Sequence, residues 1–294
     1  MQDVNLKGLG VALVTPFKQD GHIDYAALSR LVDCLLQNGV DYLVVLGTTG
    51  ETSTLSSEEQ KTIVQSVVSQ AKGQVPIVVG VSSNCTRTVV QKLETGDFTG
   101  VDAILSVVPY YNKPTQEGIY QHYKHIAAAT PLPIVLYNVP GRTVVNMTAD
   151  TTLRIAHECP NVIAIKEASG NLEQVSRIIR EKPSGFQLVS GDDAIALELI
   201  KLGAAGVISV IGNAFPRQFG RMLHLALAGD YAQAQMIQQQ LTQLFELLFI
   251  DGSPAGIKNI LYQQGYIENE LRLPLVPAQT ATDEKIREAL EAFG

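Results

Sequence analysis

The sequence predicts an α/β fold, a (β/α)8 TIM barrel with a C-terminal helical appendage, and three observations predict it. Short apolar runs rich in β-branched residues recur eight times between residues 11 and 210. Stretches with helical periodicity separate them, long enough to serve as the right-handed crossovers that parallel strands require. Past the eighth unit, further helical stretches carry no strand signal. An open doubly wound sheet shares the alternating pattern, but the count of eight decides for a closed barrel.

The runs are Val11-Ala-Leu-Val14, Tyr42-Leu-Val-Val-Leu46, Ile77-Val-Val79, Ala103-Ile-Leu-Ser-Val-Val108, Ile134-Val-Leu-Tyr137, Val162-Ile-Ala-Ile-Lys166, Phe186-Gln-Leu-Val189 and Val207-Ile-Ser-Val210. Helices are expected between them, as at residues 24–37, 57–71 and 115–129. Ser56-Ser57 ahead of Glu58-Glu59 is an N-terminal signal with acids in the first turn, and Thr148 or Asp150 opens the stretch 151–156. Residues 218–228 close the eighth unit, and 231–249, 255–263 and 283–293 form the appendage. The expected organisation is a catalytic barrel over residues 1–229 and a helical region over 230–294. Leucines at helical intervals among Gln and Ala in 231–249 describe a packing surface rather than a cofactor site.

Hydrophobic residues are 46% of the 294-residue chain and charged residues 17%, which supports a sizeable core and argues against disorder. A net charge of −7 without a basic block excludes nucleic acid as the expected partner. The apolar stretch 195–215 is broken by Glu198, Lys201 and glycines, so no run reaches bilayer-spanning length and no membrane partner is expected. Residues 1–7 lack the basic and apolar segments of a secretory signal, which reads as cytoplasmic. Cys34, Cys85 and Cys159 are odd in number and form no CxxC pair, and are read as reduced, buried thiols.

In a parallel barrel the chemistry gathers at the C-terminal ends of the strands. The sixth run ends there on Lys166. An ammonium at the mouth of an apolar core loses hydration, which disfavours its charged form and frees the amine to form a Schiff base with a carbonyl. A lysine in that place can also lie along the core and snorkel to water. After the second run, Gly47-Thr48-Thr49-Gly50-Glu51 offers two hydroxyls and a backbone able to cradle an anion, or an ordinary glycine turn. Pro109-Tyr110-Tyr111-Asn112-Lys113-Pro114 is a stiff loop that presents a phenol or a subunit contact. The fifth run places the Tyr137 phenol at a strand end, and Arg142 follows on a loop short enough to reach the same mouth and clamp a carboxylate. Ser190-Gly191-Asp192-Asp193 ends the seventh run, with Gly191 permitting close ligand approach and the two acids expected to cap the next helix. His122 and His125 lie three apart without a third ligand nearby, and GxGxxG and P-loop spacings are absent, so neither metal nor nucleotide nor other cofactor is expected.

Taken together, the strand-end motifs Val44 to Glu51, Pro109 to Pro114, Tyr137 to Thr143, Ile165 to Gly170 and Ser190 to Asp193 resemble the 4-hydroxy-tetrahydrodipicolinate synthase family. These are class I aldolases of the N-acetylneuraminate lyase superfamily. The resemblance runs from Gly8 to the C-terminal helices. It implies condensation of pyruvate with L-aspartate 4-semialdehyde, the committed step toward diaminopimelate and lysine, in a tetramer built as a dimer of dimers. Lys166 would form the Schiff base, and Tyr137 would pass protons through Thr48 to Tyr111 of a neighbouring subunit. Thr49 would hold the pyruvate carboxylate, Gly191 and Ile208 would line its pocket, and Arg142 would receive the carboxylate of the aldehyde. N-acetylneuraminate lyase and keto-sugar-acid aldolases share the lysine and tyrosine, but the second hydroxyl of Thr48-Thr49 and the Arg142 guanidinium favour a short acidic aldehyde. A barrel that only binds a keto acid is the reading from another class. Many members are inhibited by lysine at a subunit cleft, and Thr88 stands where sensitive members commonly carry a glutamate, so weak or absent inhibition is expected.

Overall fold

The computed structural model describes residues 4–293; residues 1–3 of the amino-terminal stretch and Gly294 lie outside the described residues. Eight strands close into a barrel in sequence order: β1 (Gly8–Ala12), β2 (Tyr42–Val45), β3 (Ile77–Gly80), β4 (Ala103–Val107), β5 (Ile134–Asn138), β6 (Val162–Glu167), β7 (Gln187–Ser190) and β8 (Gly206–Ser209). The helices that follow the strands are α1 (Tyr25–Gln37), α2 (Ser57–Ala71), α3 (Thr86–Thr95), α4 (Gln116–Ala128), α5 (Pro140–Thr143), α6 (Ala149–Glu158), α7 (Leu172–Glu181), α8 (Ala196–Leu202) and α9 (Pro216–Leu227). Then come α10 (Tyr231–Leu247), α11 (Ala255–Gln263) and α12 (Thr280–Phe293). No helix of the described residues is long and apolar enough to cross a membrane.

The chain packs as two compact units, one of residues 4–7 with 76–208 and one of residues 8–75 with 209–293. In the first, β4 to β7 are buried along nearly their whole length, as parallel strands covered on both faces must be. Thr148 caps α6, and Asn171 caps α7 by accepting from Gln174 N at 3.0 Å. In the second unit, Asp24 accepts from Ala27 N at 2.9 Å to start α1, and Ser56 with Glu59 forms a reciprocal capping box on α2. The C-terminal helices complete this unit: α10 packs on α9 and α12. Phe219 meets Phe245 edge-on at 5.7 Å, and Phe215 meets Phe293 at 4.9 Å.

Several elements differ from the sequence reading. β1 begins at Gly8, three residues ahead of its apolar run, a start that the strand-poor glycines Gly8 and Gly10 hide in the sequence. Gly10 is needed there: a Cβ on it would fall 2.1 Å from the Tyr42 ring. α9 starts at Pro216, where the fixed φ of proline suits the first helical position. Asp192 and Asp193 do not cap α8, whose N-cap is Ile195; Asp192 instead accepts from Ala194 N at 3.0 Å within a turn. Of the three free thiols only Cys159 is buried, and Cys85, at the N-cap of α3, is exposed.

A bidentate pair ties α2 to the segment after α11: Arg272 donates to both Glu59 oxygens, at 2.9 and 2.5 Å, and its guanidinium lies 4.6 Å from the Phe17 ring. The Arg272 hydrogen bonds hold the Glu59 carboxyl down at about 2 from its usual 4.5. Because the folded-state pKa is depressed, this contribution is present above the unfolded value and is lost as pH falls. Unfolding by urea between about pH 5 and pH 2 is therefore expected to show a shallower pH dependence in Glu59→Gln than in the parent chain.

Candidate active site

The first unit carries most of the strand-end residues, and the pairing of β5 with β6 brings two of them, Tyr137 and Lys166, together. Ile134 pairs with Val162, but Val135 pairs with Ala164, so Ile163 has no partner across the ladder. This single extra residue decides which side chains meet. Downstream of it Tyr137 faces Lys166 and Asn138 faces Glu167; an unbroken register would set Tyr137 against Ile165. Bulges are uncommon between parallel strands, and where they occur they re-aim side chains. Lys166 and Tyr137 share one face, each 6% exposed, and the lysine Nζ sits 4.3 Å from the centre of the tyrosine ring. The amine is thus held out of water against an aromatic face, on a backbone fixed on both sides by ladder hydrogen bonds.

Gly191 follows β7, which pairs with β6, and the end of β6 leaves little room for a side chain on it. An added Cβ would lie 3.0 Å from Lys166 Cε, 3.2 Å from Lys166 Cγ and 2.7 Å from the Ala168 Cβ. The missing side chain leaves room for Ala168 and, less tightly, for the lysine stem. Ile208 is fully buried on β8. Arg142 lies on α5, a one-turn helix begun by Pro140 and ended by Val144 at φ 59, and its side chain is exposed. Tyr111, at φ 75, is 82% exposed.

Behind Lys166, on the opposite face of β6, lies a polar cluster that the sequence reading missed. Glu167 is 1% exposed and Asn138 fully buried. The Glu167 carboxylate accepts from Asn138 Nδ2 at 3.1 and 3.2 Å, from Gln174 Nε2 at 3.0 Å and from Ser169 N at 2.8 Å. Burial raises its pKa, opposed by these donors. The available signal was period two: if Lys166 points one way, Glu167 points the other, into the helical layer, and a buried acid needs donors.

In the second unit, Thr48–Gly50 forms a single 3-10 turn between Leu46 at φ 58 and Glu51 at φ 53. Thr49 is buried and Thr48 exposed. Of the two flanking glycines, Gly50 is closely packed, since a Cβ would meet the Leu13 carbonyl at 3.1 Å. Positive φ at a glutamate is unfavourable and persists only where the surroundings over-determine it. They do so here: Glu51 pairs with Lys258 of α11, both side chains fully buried, and its other oxygen accepts from Arg272 N at 3.0 Å. Desolvation lowers the Lys258 pKa to about 8 against the pull of Glu51. The partners are 207 residues apart, so no local pattern announces them.

Among the described residues no group of three His, Cys, Asp or Glu is placed to hold a metal ion. His122 is buried, with Nδ1 2.9 Å from Thr86 Oγ1, and burial lowers its pKa to about 4. A (β/α)8 barrel with a buried lysine laid against a tyrosine on the neighbouring strand defines the class of barrels that carry an amine at the strand-end rim. Within that class, residues 5–293 match the model of the dihydrodipicolinate synthetase family, and the chain belongs to it. It is 66% identical to a 4-hydroxy-tetrahydrodipicolinate synthase of Parabacteroides distasonis, over 99% of this chain and 98% of the relative. A synthase of the same name from Azobacteroides pseudotrichonymphae is 62% identical over 100% and 99%. The crystal structure of dihydrodipicolinate synthase from Thermotoga maritima superposes with a TM-score of 0.95 at 41% identity, covering 98% of each chain.

Removing one partner of the buried pair leaves the other charge uncompensated. Lys258→Met is expected to lose about 3 to 5 kcal/mol of stability, and Glu51→Gln/Lys258→Met to recover much of it, as measured by urea denaturation.

Proposed function

We propose that the chain is a lyase, a 4-hydroxy-tetrahydrodipicolinate synthase that condenses pyruvate with L-aspartate 4-semialdehyde through a Schiff base on Lys166. The observation that carries this reading is the Lys166 amine, buried at a strand end against the Tyr137 ring, in a chain so close to relatives bearing that name. The amine adds to the pyruvate carbonyl carbon, water leaves, and the resulting iminium acts as an electron sink. Loss of a methyl proton gives an enamine, whose carbon attacks the aldehyde carbon of the second substrate. The amino group of the adduct then closes onto the imine carbon and expels Lys166, regenerating the free amine.

The remaining roles follow the strand-end chemistry. Tyr137 gives and takes the protons, relayed through Thr48 and Tyr111, and Thr49 holds the pyruvate carboxylate in a pocket lined by Gly191 and Ile208. Arg142 receives the carboxylate of the aldehyde as a planar, always charged fork. A tyrosine 82% exposed at positive φ supports Tyr111 being seated by another copy, in a homotetramer of the cytoplasm.

Borohydride reduction in the presence of pyruvate tests the reading: the chain gains covalent mass on Lys166, whereas a barrel that merely binds the keto acid gains none. Lys166→Ala and Lys166→Arg are expected to stay folded and to abolish both trapping and turnover, since a guanidinium cannot give up its proton to form the imine. Near-parental turnover in the arginine variant would sink the Schiff base. Arg142→Ala is expected to lower kcat/KM for the aldehyde by roughly 2 to 5 kcal/mol in transition-state terms, with a smaller effect on imine formation. Thr88 is exposed near the start of α3, and without an acid there to meet an ammonium, activity titrated against lysine is expected to stay nearly flat into the millimolar range.

A further inference from the structure

The polar cluster behind Lys166 closes into a ring. Asn138 Nδ2 donates to Glu167 and also to Asn146 Oδ1 at 2.8 Å; Asn146 Nδ2 donates to Gln174 Oε1 at 2.9 Å; Gln174 Nε2 donates back to Glu167 at 3.0 Å. Three of its four members are amides, each carrying a donor end and an acceptor end that are nearly the same size. An amide can turn over at little steric cost, so its orientation is set by its neighbours. The carboxylate is different: ionised, it accepts only. Facing Glu167, both Asn138 and Gln174 must present their NH2 ends, and the rest of the ring follows from that choice.

The consequence reaches the backbone. With its NH2 end turned to Glu167, Asn138 has its oxygen free to accept from Met147 N at 2.9 Å. That bond joins the end of β5 to the residue just before the α6 cap, so Asn138 pins the neck of the excursion 139–147. Inside the excursion, Thr143 Oγ1 donates to Val145 O at 2.9 Å, and Arg142 N donates to Val139 O at 2.9 Å. Gln174 Nε2 adds a bond to Met147 O at 3.2 Å, and Gln116 Nε2 holds Asn146 O at 2.8 Å. The excursion carries Arg142. Were Asn138 to turn over, its NH2 would confront the Met147 N–H, two donors in a buried place where an unmade hydrogen bond is costly.

We propose that Glu167 is a positioning residue for Arg142: the carboxylate orients the amide ring of Asn138, Asn146 and Gln174, and through it holds the neck of the loop that presents the guanidinium. This rests on the reading of Arg142 as the receptor for the carboxylate of the aldehyde. A buried acid ringed by amides rather than by a cation is unfavourable for folding, and burial raises the Glu167 pKa accordingly. Its retention makes sense if the acceptor-only character is what the site uses.

The test is steady-state kinetics with both substrates, run beside borohydride trapping and thermal melts. Glu167→Gln gives the ring a fourth amide and frees Asn138 to turn. It is expected to raise KM for aspartate semialdehyde by about tenfold to a hundredfold, the loss that small misplacements cause, while trapping with pyruvate stays within about threefold of the parent. Asn138→Asp/Glu167→Gln returns an acceptor-only group to the ring with the bond reversed, and should restore most of the lost affinity. Because the effect travels through Arg142, adding Glu167→Gln to Arg142→Ala should raise KM no further. Should Glu167→Gln fail to fold, Asn146→Ala opens the ring from a half-buried position and should show the same split. A folded Glu167→Gln with parental KM, equal losses in trapping and KM, or full additivity with Arg142→Ala would overturn the inference. A parental KM in Arg142→Ala would overturn it together with the reading of that arginine, whereas an untrapped parent would strike the Schiff-base reading itself.

Discussion

The extra residue in β6 is the constraint on which the first unit's site depends. Parallel strands alternate their side chains with period two, so a shift of one residue changes which face each presents and which neighbour it meets. Ile163 absorbs such a shift beside the start of β5. From there to the strand ends, Tyr137 travels with Lys166 and Asn138 with Glu167. One ladder thus sends Tyr137 and Lys166 to one face and the buried Asn138 and Glu167 to the other. Gly191 leaves the space beside Ala168 and the lysine stem open.

Two carboxylates, one in each unit, are buried by different means. Glu51 is met by a cation, Lys258, and by a backbone N–H, and the pair anchors a glutamate held at φ 53 beside Thr48 and Thr49. Coulombic attraction in a dry interior offsets much of the desolvation there. Among the described residues Glu167 is met by dipoles: two side-chain amides and the Ser169 N–H. Such a solution is weaker per contact but directional, and it makes the carboxylate an organiser of amide orientation. The C-terminal helices belong to the same logic, since α11 supplies Lys258 and the segment after it supplies Arg272. They complete the second unit's core rather than adorn it.

The sequence by itself determined the periodic scaffold. Eight β-branched runs, helical periods between them and caps at Ser56 and Thr148 are local properties, set by backbone sterics, side-chain entropy and orphan N–H groups, and they are legible one window at a time. The place of Lys166 near the end of β6 was legible too, because a lysine closing an apolar run is a local anomaly. What escaped was whatever depends on two distant windows at once. β1 was placed late because Gly10 is there for the Tyr42 ring, which only packing brings near. The bulge at Ile163, the Asn138–Glu167–Gln174–Asn146 ring and the Glu51–Lys258 pair have no signature in their own segments, since hydrogen bonds and ion pairs are made across the fold, between residues up to 207 apart. Tertiary structure decided these because burial is a property of the whole fold: only when helices cover a strand does a polar group on it lose water and require a particular partner.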